Sequence, residues 1–535
     1  MDSKPVFLLS FVIAIAAYVQ WKLIKLLLGP YVSSLRYLPG PTSRSWLLGN
    51  LQQVHESSDW MQRFGDTFKF KGLLNSDVLF TIDLRALHHI LNNITAYSKP
   101  EVYRLNVSAF VGEGLLLAEG EQHGQQRRVM NPAFGPAQIR DLTGIFVQKS
   151  IELTQFWQLH IGKHGETARI DVLDGLSKMT LDVIGLAGFG YHFNSLSPDG
   201  KETELNEAFN TIFGSGANDA SLFKLFRLLF PLVQHLPVPG AREVNKARRI
   251  MRRIGMHLVR ERKDNILSSA VVNKRGGLDQ RDLLTLLTKA NTDASVPENQ
   301  SLSDEAIIAQ IPTFLVAGHE TTSNTTAWAL YALSIECDMQ TKLREECLAL
   351  STDNPSMDDL NKLPYLEAVV RETLRLHPPL NYVLREATKD DIIPLSKPYI
   401  DVHGKIHDHV KIDKGTMIQI PILAVNRSKA IWGEDALEFR PERWDNVPEA
   451  AQKVPGTWGN TMTFLGGPRA CIGYRFSLVE MKALIFTLIR AFEFELAVPY
   501  EDVVRQNAAV QRPILRNAMD KGSQLPMLVR PYQKT

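Results

Sequence analysis

Cysteine is scarce in this chain: only Cys337, Cys347 and Cys471 occur among its 535 residues. Three thiols cannot build the disulfide framework on which small secreted domains depend. Cys337 and Cys347 lie in charged, helical sequence, and we interpret both as ordinary reduced thiols. The bulk of the chain is therefore expected to face the cytosol. Cys471 differs from the other two because it stands among glycines.

An excess of charge of one sign is also lacking, because 60 Lys and Arg residues face 58 Asp and Glu residues. The resulting net charge of +2 offers no argument for binding nucleic acid. The sequence contains no flavin or nicotinamide fingerprint, no internal repeat and no second folded domain. A chain of this length can bury a large core together with a bulky cofactor.

Charged residues are missing from the stretch Val6–Trp21, which is almost wholly apolar. Lys22 and Lys25 follow, and leucines continue to Leu28. If both lysines snorkel, the run reaches the length of about 20 residues that crosses a bilayer. A cleaved signal peptide is the alternative, but no convincing small-residue cleavage site follows the run. The basic residues on its C-terminal side place that side in the cytosol, so residues 1–37 are predicted to be an uncleaved anchor and linker.

The remainder, residues 38–535, is predicted to be one mainly α-helical domain with a minor sheet. Helical periodicity dominates residues 87–386. Alternating apolar residues predict a small hairpin-like sheet over Thr67–Gly72 and Asp77–Leu84, and residues 391–425 again become strand-like.

The most informative segment runs from Phe464 to Gly473 and reads FLGGPRACIG. A helical pattern starts at Tyr474, so the cysteine precedes a helix N-terminus. Unpaired backbone N–H groups and the helix dipole there lower the pKa of a thiol and favour sulfur as a metal ligand. Gly467 and Gly473 allow the backbone to approach a flat ligand, and Arg469 offers donors to a carboxylate.

This segment resembles the haem-binding signature of the cytochrome P450 family, Phe-x-x-Gly-x-Arg-x-Cys-x-Gly. The five fixed residues correspond to Phe464, Gly467, Arg469, Cys471 and Gly473. The resemblance implies a mainly α cytochrome P450 fold with a small β domain. It also implies haem b, with the Cys471 thiolate as the axial ligand of iron. Taken alone, the segment is also consistent with a buried free cysteine at a strand–helix turn.

A second segment, AGHET at positions 317–321, lies in a helical pattern that runs from Glu305 to about Ile335. It resembles the family's oxygen-activation motif, in which an acid and an alcohol supply protons so that the O–O bond splits heterolytically. The resemblance assigns that role to Glu320 and Thr321, and it implies that Ala317 and Gly318 make room for dioxygen and substrate. Taken alone, the motif is equally consistent with an ordinary surface Glu-Thr pair.

Two other residues of this helical pattern need separate interpretation. His319 could be taken for a metal ligand, but we expect it to point away from the haem. Pro312 marks either the start of the helix or a kink, and the sequence leaves both open.

Glu372 and Arg375 are three residues apart in the helical run Leu366–Leu376, which places both charges on one face. Exposed pairs of this kind are common and contribute little. Together with the later Pro-Glu-Arg segment, however, they resemble the family's Glu-x-x-Arg network. The resemblance implies that Glu372, Arg375 and Arg443 form a buried network that fixes the loop holding Cys471.

Haem propionates need cationic partners. His123 and Arg127 are i,i+4 neighbours on one predicted helix face, and they match family positions that bind a propionate. Arg385 and Arg469 match two further propionate contacts. Each arginine is also consistent with an ordinary surface charge.

The activity implied is that of a monooxygenase, which inserts one atom of dioxygen into a substrate and releases the other as water. NADPH–cytochrome P450 reductase is the expected electron donor, with cytochrome b5 as a further candidate, at the endoplasmic reticulum membrane. A thiolate-haem isomerase or dehydratase is the alternative within the fold, but its chemistry needs no proton relay. A haem gas sensor and a cofactor-free structural protein are alternatives from other classes, which a visible spectrum with carbon monoxide distinguishes.

The substrate class follows only from the resemblance. Phe110, Val111, Phe314 and Ala317 are expected to line the pocket, and the apolar run Leu222–Val233 to lie over it and touch the membrane. These residues imply a lipophilic small molecule such as a terpenoid, sterol, fatty acid or aromatic compound. The style of the motifs is that of a eukaryotic microsomal enzyme, which suggests fungal secondary metabolism.

Overall fold

The computed structural model describes residues 28–197, 203–214, 241–272, 282–292, 301–506 and 510–533, with isolated positions between 13 and 24. The chain divides into two compact units. The first takes its described residues from Met1–Pro100, Asn381–Trp432 and Glu449–Ala470, and the second takes its own from Glu101–Leu380, Gly433–Pro448 and Cys471–Thr535.

Helices make up most of the described chain, and strands make up a smaller part. The α-helices are α1 (Ser57–Phe64), α2 (Leu84–Asn92), α3 (Glu101–Val111), α4 (Gly120–Met130), α5 (Pro136–His164), α6 (Val172–Phe189), α7 (Glu204–Gly214), α8 (Ala241–Val272), α9 (Leu283–Thr292), α10 (Asp304–Ile308), α11 (Gln310–Ile335), α12 (Cys337–Ala349), α13 (Met357–Asn361), α14 (Pro364–Leu376), α15 (Ile422–Asn426), α16 (Lys429–Trp432), α17 (Glu449–Gln452) and α18 (Tyr474–Ala491). The strands are β1 (Thr67–Lys71), β2 (Asp77–Thr81), β3 (Tyr97–Ser98), β4 (Ala168–Asp171), β5 (Val383–Ala387), β6 (Asp391–Ile400), β7 (Ile406–Ile412), β8 (Met417–Ile420), β9 (Phe492–Leu496), β10 (Val503–Gln506), β11 (Arg512–Leu515) and β12 (Pro526–Pro531). The predicted mainly α fold with minor sheets is confirmed.

The first unit is built on a five-stranded sheet of order β1-β2-β8-β5-β3. Strands β1 and β2 pair antiparallel, with Thr67 opposite Thr81, so the predicted hairpin is confirmed. Phe68 and Phe80 face each other across this pair and stack at 4.4 Å between ring centroids. The strand-like stretch predicted after residue 391 contains the antiparallel pair β6–β7 and the sheet strand β8, which runs parallel to β2.

Helix α2 of the first unit is held at its start by a capping carboxylate. Asp83 Oδ1 accepts hydrogen bonds from the backbone N–H groups of Arg85 and Ala86, both at 3.0 Å. Its second oxygen accepts from the backbone N–H of Ser396 on β6 at 2.8 Å. One buried carboxylate therefore satisfies the helix N-terminus and ties it to a strand far away in sequence.

The second unit is mostly helical, and its central helices α11 and α18 are buried along most of their length. Helix α11 packs against α6, and α18 packs against α5. Such helices carry apolar and small residues around most of their circumference, because they have no solvent-facing side. A three-stranded sheet of order β4-β12-β9 and the hairpin β10–β11 complete this unit.

The helical pattern predicted from Glu305 is divided in the structure. Helix α10 ends at Ile308, and α11 begins at Gln310. Pro312 lies in the first turn of α11, where a backbone N–H has no partner within that helix in any case. Of the two interpretations that the sequence left open, Pro312 therefore marks the start of the helix.

The predicted membrane segments lie largely or wholly outside the described residues. Among the helices that the structure does describe, none is both long and apolar enough to cross a membrane. Most of Val6–Trp21 and all of Leu222–Val233 lie outside the described residues. The anchor within residues 1–37 and the apolar cover of the pocket stay predictions.

Candidate functional site

Cys471 of the second unit lies just before α18, whose N-cap is Gly473. Its side chain is exposed, yet the protein around it desolvates the sulfur. Burial raises the pKa of the Cys471 thiol, against the opposing effects of the Gly473 N–H and the Arg127 guanidinium. A side chain that is both accessible and desolvated faces an enclosed space rather than bulk solvent.

The direction of this pKa shift corrects the sequence prediction of a lowered thiol pKa. The helix-terminal N–H is present as predicted and the Arg127 guanidinium adds to its effect, but desolvation outweighs both. A thiolate in this place therefore depends on a bound metal cation, whose charge reverses the local preference.

Gly473 leaves open space beside Cys471. A Cβ added to Gly473 would meet only Phe134 Cε1, at 3.8 Å, and its φ of −89° is accessible to any residue. Nothing within the protein therefore demands glycine at this position. A flat ligand that approaches the backbone closely does demand it, so the donor set and the space around it fit a haem bound through sulfur.

Helix α4 supplies the predicted cationic residues of the second unit. Arg127 is half-buried, and its Nε donates a hydrogen bond to Asn131 Oδ1 at 2.9 Å. Burial lowers the pKa of Arg127 while Cys471 raises it, so the guanidinium lies within electrostatic reach of the sulfur. His123, one turn earlier in the same helix, is buried. The structure therefore brings Arg127 close to Cys471, and the predicted contact of Arg127 with a haem propionate stays a prediction.

The segment that precedes Cys471 lies in the first unit and depends on glycine for a reason that the sequence did not show. A Cβ on Gly466 would lie 1.7 Å from the carbonyl oxygen of Pro455. Gly467 has φ +68°, and a Cβ there would lie 2.6 Å from the carbonyl oxygen of Leu91 in α2. Both glycines therefore allow protein backbone, rather than a ligand, to approach closely. Gly466 is outside the five-residue signature and was missed.

The other predicted cofactor residues of the first unit are also partly or fully enclosed. Phe464 is buried and packs edge-to-face on Trp458, with ring centroids 5.8 Å apart. Arg385 on β5 is buried, and Arg469 is half-buried in the short 3-10 helix Gly467–Arg469. Neither arginine is the fully solvated surface charge that remained an alternative.

Asn426 at the end of α15 holds this segment from within the first unit. Its Oδ1 accepts from the Met462 N–H at 2.8 Å, and its Nδ2 donates to Thr463 Oγ1 at 2.8 Å. The side chain is fully buried. The family more commonly has histidine here, and the sequence attached no role to the asparagine.

Helix α11 runs unbroken through the predicted oxygen-activation motif and exposes one residue there. Ala317 is exposed although Phe314 and Leu315 before it and Thr322 after it are buried. The Thr321 hydroxyl is half-buried and donates to the Ala317 carbonyl at 2.6 Å. An exposed methyl in the middle of a buried helix lines a cavity, and the Thr321 oxygen keeps lone pairs free to accept from that side.

Glu320 has a partner that the sequence did not reveal. Its carboxylate forms an ion pair with the guanidinium of Arg512 on β11, through both Nε and Nη2. Arg512 follows Glu320 by 192 residues and belongs to no motif. Only the packing of the hairpin β10–β11 near α11 brings the two together.

The structure explains the glycine at position 318 differently from the sequence, which predicted that it makes room for dioxygen and substrate. A Cβ at Gly318 would lie 2.8 Å from Ile184 Cδ1 on α6, so the missing side chain allows α11 and α6 to pack closely. His319 points to the same neighbour, because its Nε2 lies 2.7 Å from Ser177 Oγ. Burial, with a smaller contribution from the Arg512 charge, lowers the pKa of His319 to about 4. The structure thus turns His319 toward α6.

Comparison with known proteins decides the family. A family model described as Cytochrome P450 matches residues 38–516. Cytochrome P450 monooxygenase 205 of Postia placenta is 55% identical over 532 residues, which cover 98% of each chain. Cytochrome P450 monooxygenase 128 of the same fungus is 54% identical over 96% of each chain. Ganoderic acid synthetase CYP5150L8 of Ganoderma lucidum is 34% identical over 97% of each chain.

The chain belongs to the cytochrome P450 family. It is a P450 monooxygenase, and the family's cofactor is haem b with an iron–cysteine thiolate bond. When bound, the haem supplies the iron at which dioxygen is reduced and split. In this P450, Cys471 would hold the iron, and Gly473 would leave room for the porphyrin.

Three further predicted residues of this P450 meet in one buried network of the second unit. Arg375 donates to both oxygens of Glu372, at 2.9 and 2.8 Å, and both side chains are 0% exposed. Arg443 Nε donates to the same carboxylate at 3.3 Å, and its Nη1 donates to Asp435 at 2.6 Å.

The remaining donors of Arg375 reach backbone carbonyls, at Ala436 (2.6 Å) and Glu438 (3.2 Å). Each buried charge is therefore matched by opposite charge or by hydrogen bonds, as burial requires. The predicted meeting of Glu372, Arg375 and Arg443 is found.

The first site prediction concerns Gly466. Gly466→Ala should destabilise the protein by about 1–3 kcal/mol, because the new methyl overlaps a backbone carbonyl that cannot rotate away. Urea unfolding followed at the Soret band measures the change. Gly144→Ala is the matched control, since Gly144 lies in α5 with nothing within 4 Å of an added Cβ. Equal urea midpoints for Gly466→Ala and Gly144→Ala would show that the close approach of the Pro455 carbonyl does not require glycine at position 466.

The second site prediction concerns Cys471 as the ligand of the haem iron. Cys471→Ala should abolish the red-shifted Soret band of the reduced carbon monoxide complex, because no thiolate remains to bind iron. Cys337→Ala is the control, since Cys337 is an exposed thiol in α12, and it should keep the band. A persisting band in the Cys471 variant would rule out this ligand.

Proposed function

We propose that this P450 inserts one oxygen atom into a lipophilic small molecule, with electrons from NADPH–cytochrome P450 reductase and with cytochrome b5 as a further candidate donor. The exposed residue Ala317 in the otherwise enclosed helix α11 carries the proposal. Ala317 presents an exposed methyl group, and Thr321 follows one helical turn later. An apolar wall next to an acid–alcohol pair suits a substrate without charge and a reaction that consumes protons.

Aromatic residues around α11 support the lipophilic substrate class. Phe314 lies about one helical turn before Ala317 and packs edge-to-face on Phe134, with ring centroids 5.5 Å apart. It also stacks on Phe189 of α6 at 6.4 Å. Val111 is buried at the end of α3, and its carbonyl accepts from Thr313 Oγ1 at 3.4 Å. The side chain of Phe110 lies outside the described residues.

Glu320 and Thr321 are proposed to hold and pass the protons of the reaction. Thr321 already donates to the Ala317 carbonyl, so its oxygen is oriented as an acceptor for a water molecule. The Arg512 guanidinium fixes the neighbouring Glu320 carboxylate in one orientation. Such preorganisation is what a relay of short hydrogen bonds requires.

The remaining site residues are proposed to hold the cofactor. His123, Arg127, Arg385 and Arg469 would supply donors to the propionates, and Phe464 would contact the haem. The burial or half-burial of each of these side chains supports the assignment. Arginine suits a propionate because its planar fork can donate two parallel hydrogen bonds to a carboxylate.

The location is proposed from the sequence. Residues 1–37 would anchor the chain in the endoplasmic reticulum membrane with the catalytic part in the cytosol, where the reductase is anchored as well. The apolar run Val6–Trp21 and the lysines that follow it support this topology.

Isotope labelling tests the reaction. The full chain is reconstituted with NADPH–cytochrome P450 reductase in phospholipid vesicles and given a panel of sterols, terpenoids, fatty acids and aromatic compounds. Ganoderic acid precursors lead the panel because one relative is named for ganoderic acid synthesis. Under ¹⁸O₂, each product should carry one ¹⁸O atom and should require NADPH. Product formed from a hydroperoxide without NADPH, and without label, would establish the isomerase alternative instead.

Removing the alcohol of the relay tests the roles of Glu320 and Thr321. Thr321→Ala should lower product formed per NADPH roughly tenfold or more and release hydrogen peroxide instead, because protons no longer reach the right oxygen. Thr321→Ser keeps the hydroxyl and is the matched control. An unchanged product yield in the alanine variant would remove Thr321 from the relay.

A further inference from the structure

His319 of the AGHET motif has no part in the proposed relay, although it stands directly before Glu320. Its side chain leaves α11 towards α6, where Nε2 lies 2.7 Å from Ser177 Oγ. Phe209 of α7 packs edge-to-face on the imidazole, with ring centroids 5.6 Å apart. The ring is therefore held in one orientation by a polar contact from one helix and by an aromatic contact from another.

The imidazole is neutral, and its contacts decide which nitrogen carries the proton. The pKa of His319, which burial lowers to about 4, leaves the ring uncharged at neutral pH. Nδ1 is buried and has no hydrogen-bond partner among the described residues. A proton on Nδ1 would be a buried donor without an acceptor, whereas a proton on Nε2 has Ser177 Oγ as its acceptor. The surroundings therefore favour the tautomer with the proton on Nε2.

Ser177 belongs to a stripe of α6 that contacts the motif at three points. Ser177, Thr180 and Ile184 are spaced by three and four residues, so they lie on one face of the helix. Thr180 Oγ1 donates to the carbonyl of His319 at 3.1 Å. Ile184 occupies the space that a side chain at Gly318 would need. The contact between α6 and α11 is thus made by the two residues that directly precede the acid of the relay.

The turn of α11 at the acid–alcohol pair carries side chains that compete with its own backbone hydrogen bonds. Ser323 Oγ and Asn324 Nδ2 both donate to the carbonyl of Glu320, at 3.2 and 2.7 Å. Thr325 Oγ1 donates to the carbonyl of Thr321 at 2.7 Å. Side chains that bond back to helix carbonyls in this way slightly destabilise and bend a helix. Contacts from outside α11 are therefore needed to hold Glu320 and Thr321 in one orientation.

We propose that His319 and Ser177 are positioning residues: the neutral imidazole donates from Nε2 to Ser177 Oγ, and this bond holds the turn of α11 that carries Glu320 and Thr321. The bond keeps the imidazole beside α6, so that the Glu320 carboxylate has Arg512 as its cationic partner. Both residues act through the backbone of α11 rather than on the reacting atoms. The hydrogen bond stands on the contacts alone, whereas its effect on the reaction rests on the proposed function.

A double-mutant cycle on the holoenzyme tests the hydrogen bond. His319→Phe keeps a ring beside Phe209 but has no donor, and Ser177→Ala removes the acceptor. The unfolding equilibrium constant is measured in urea for both single variants and for the double variant. Because the two residues share one bond, the double variant should be roughly threefold to tenfold more stable than the sum of the single effects predicts. Effects that add within about twofold would overturn the proposal.

Ser150→Ala is the matched control for Ser177→Ala. Ser150 of α5 is buried, and its hydroxyl donates to the Phe146 carbonyl of the same helix at 2.8 Å. Its effect on stability should add to that of His319→Phe without coupling. If His319→Phe fails to fold with haem, the milder variants Ser177→Ala and His319→Gln still decide the proposal through the tautomer and the fate of electrons.

Nitrogen-15 NMR of the ferrous carbon monoxide complex, which is diamagnetic, reports the tautomer. The difference between the histidine-labelled protein and its His319→Gln variant isolates one ring among the 14 histidines of the chain. The signals lost in the variant should be those of a neutral imidazole protonated on Nε2, and they should not change between about pH 6 and about pH 8. Signals of an Nδ1–H tautomer or of an imidazolium would refute the proposed bond.

The positioning role is tested by the fate of electrons. With the best substrate of the panel, Ser177→Ala and His319→Phe should release roughly threefold or more peroxide per NADPH while keeping the red-shifted Soret band. Ser150→Ala should keep the unmodified ratio of product to peroxide.

His319→Gln separates the donor from the ring, because its amide can donate to Ser177 Oγ, and it should restore the ratio of product to peroxide. Failure to restore it, or normal coupling in Ser177→Ala while Thr321→Ala uncouples, would overturn the positioning role. If Thr321→Ala also couples normally, the proposed relay is wrong, and the cycle and the NMR signals alone decide the hydrogen bond.

Discussion

The desolvation of the Cys471 sulfur is the constraint around which the second unit is organised. The protein alone makes a thiolate unfavourable there, because burial outweighs the Gly473 N–H and the Arg127 guanidinium. A haem iron removes that conflict by supplying the positive charge.

Buried charge is handled in two different ways in the same unit. The carboxylate of Glu372 accepts from Arg375, from Arg443 and from the Arg440 backbone N–H, so each of its oxygens has at least one donor. Glu480 lies on the neighbouring helix α18, where no charged group of the described residues acts on it. Two glutamates of equal burial therefore lie in very different surroundings, one among cations and donors and the other among apolar groups.

Much of the fold and of the site was predictable from local sequence. The hairpin β1–β2, the helix α14 with Glu372 and Arg375, and the start of α18 after Gly473 all follow from periodicity and turn residues within short windows. The direction of the Cys471 pKa shift was not predictable, because desolvation depends on distant segments that close around the sulfur. The same holds for Gly318, whose neighbour Ile184 is contributed by another helix.

By itself, the sequence predicted the cysteine ligand, the acid–alcohol pair and the charged residues of the Glu372 network, because each motif lies within ten residues or repeats a known spacing. Tertiary structure decided the partners that come from far along the chain, which are Arg512 for Glu320 and Pro455 for Gly466. Contacts of that kind depend on how helices and loops pack together, and no local pattern of residues encodes the packing.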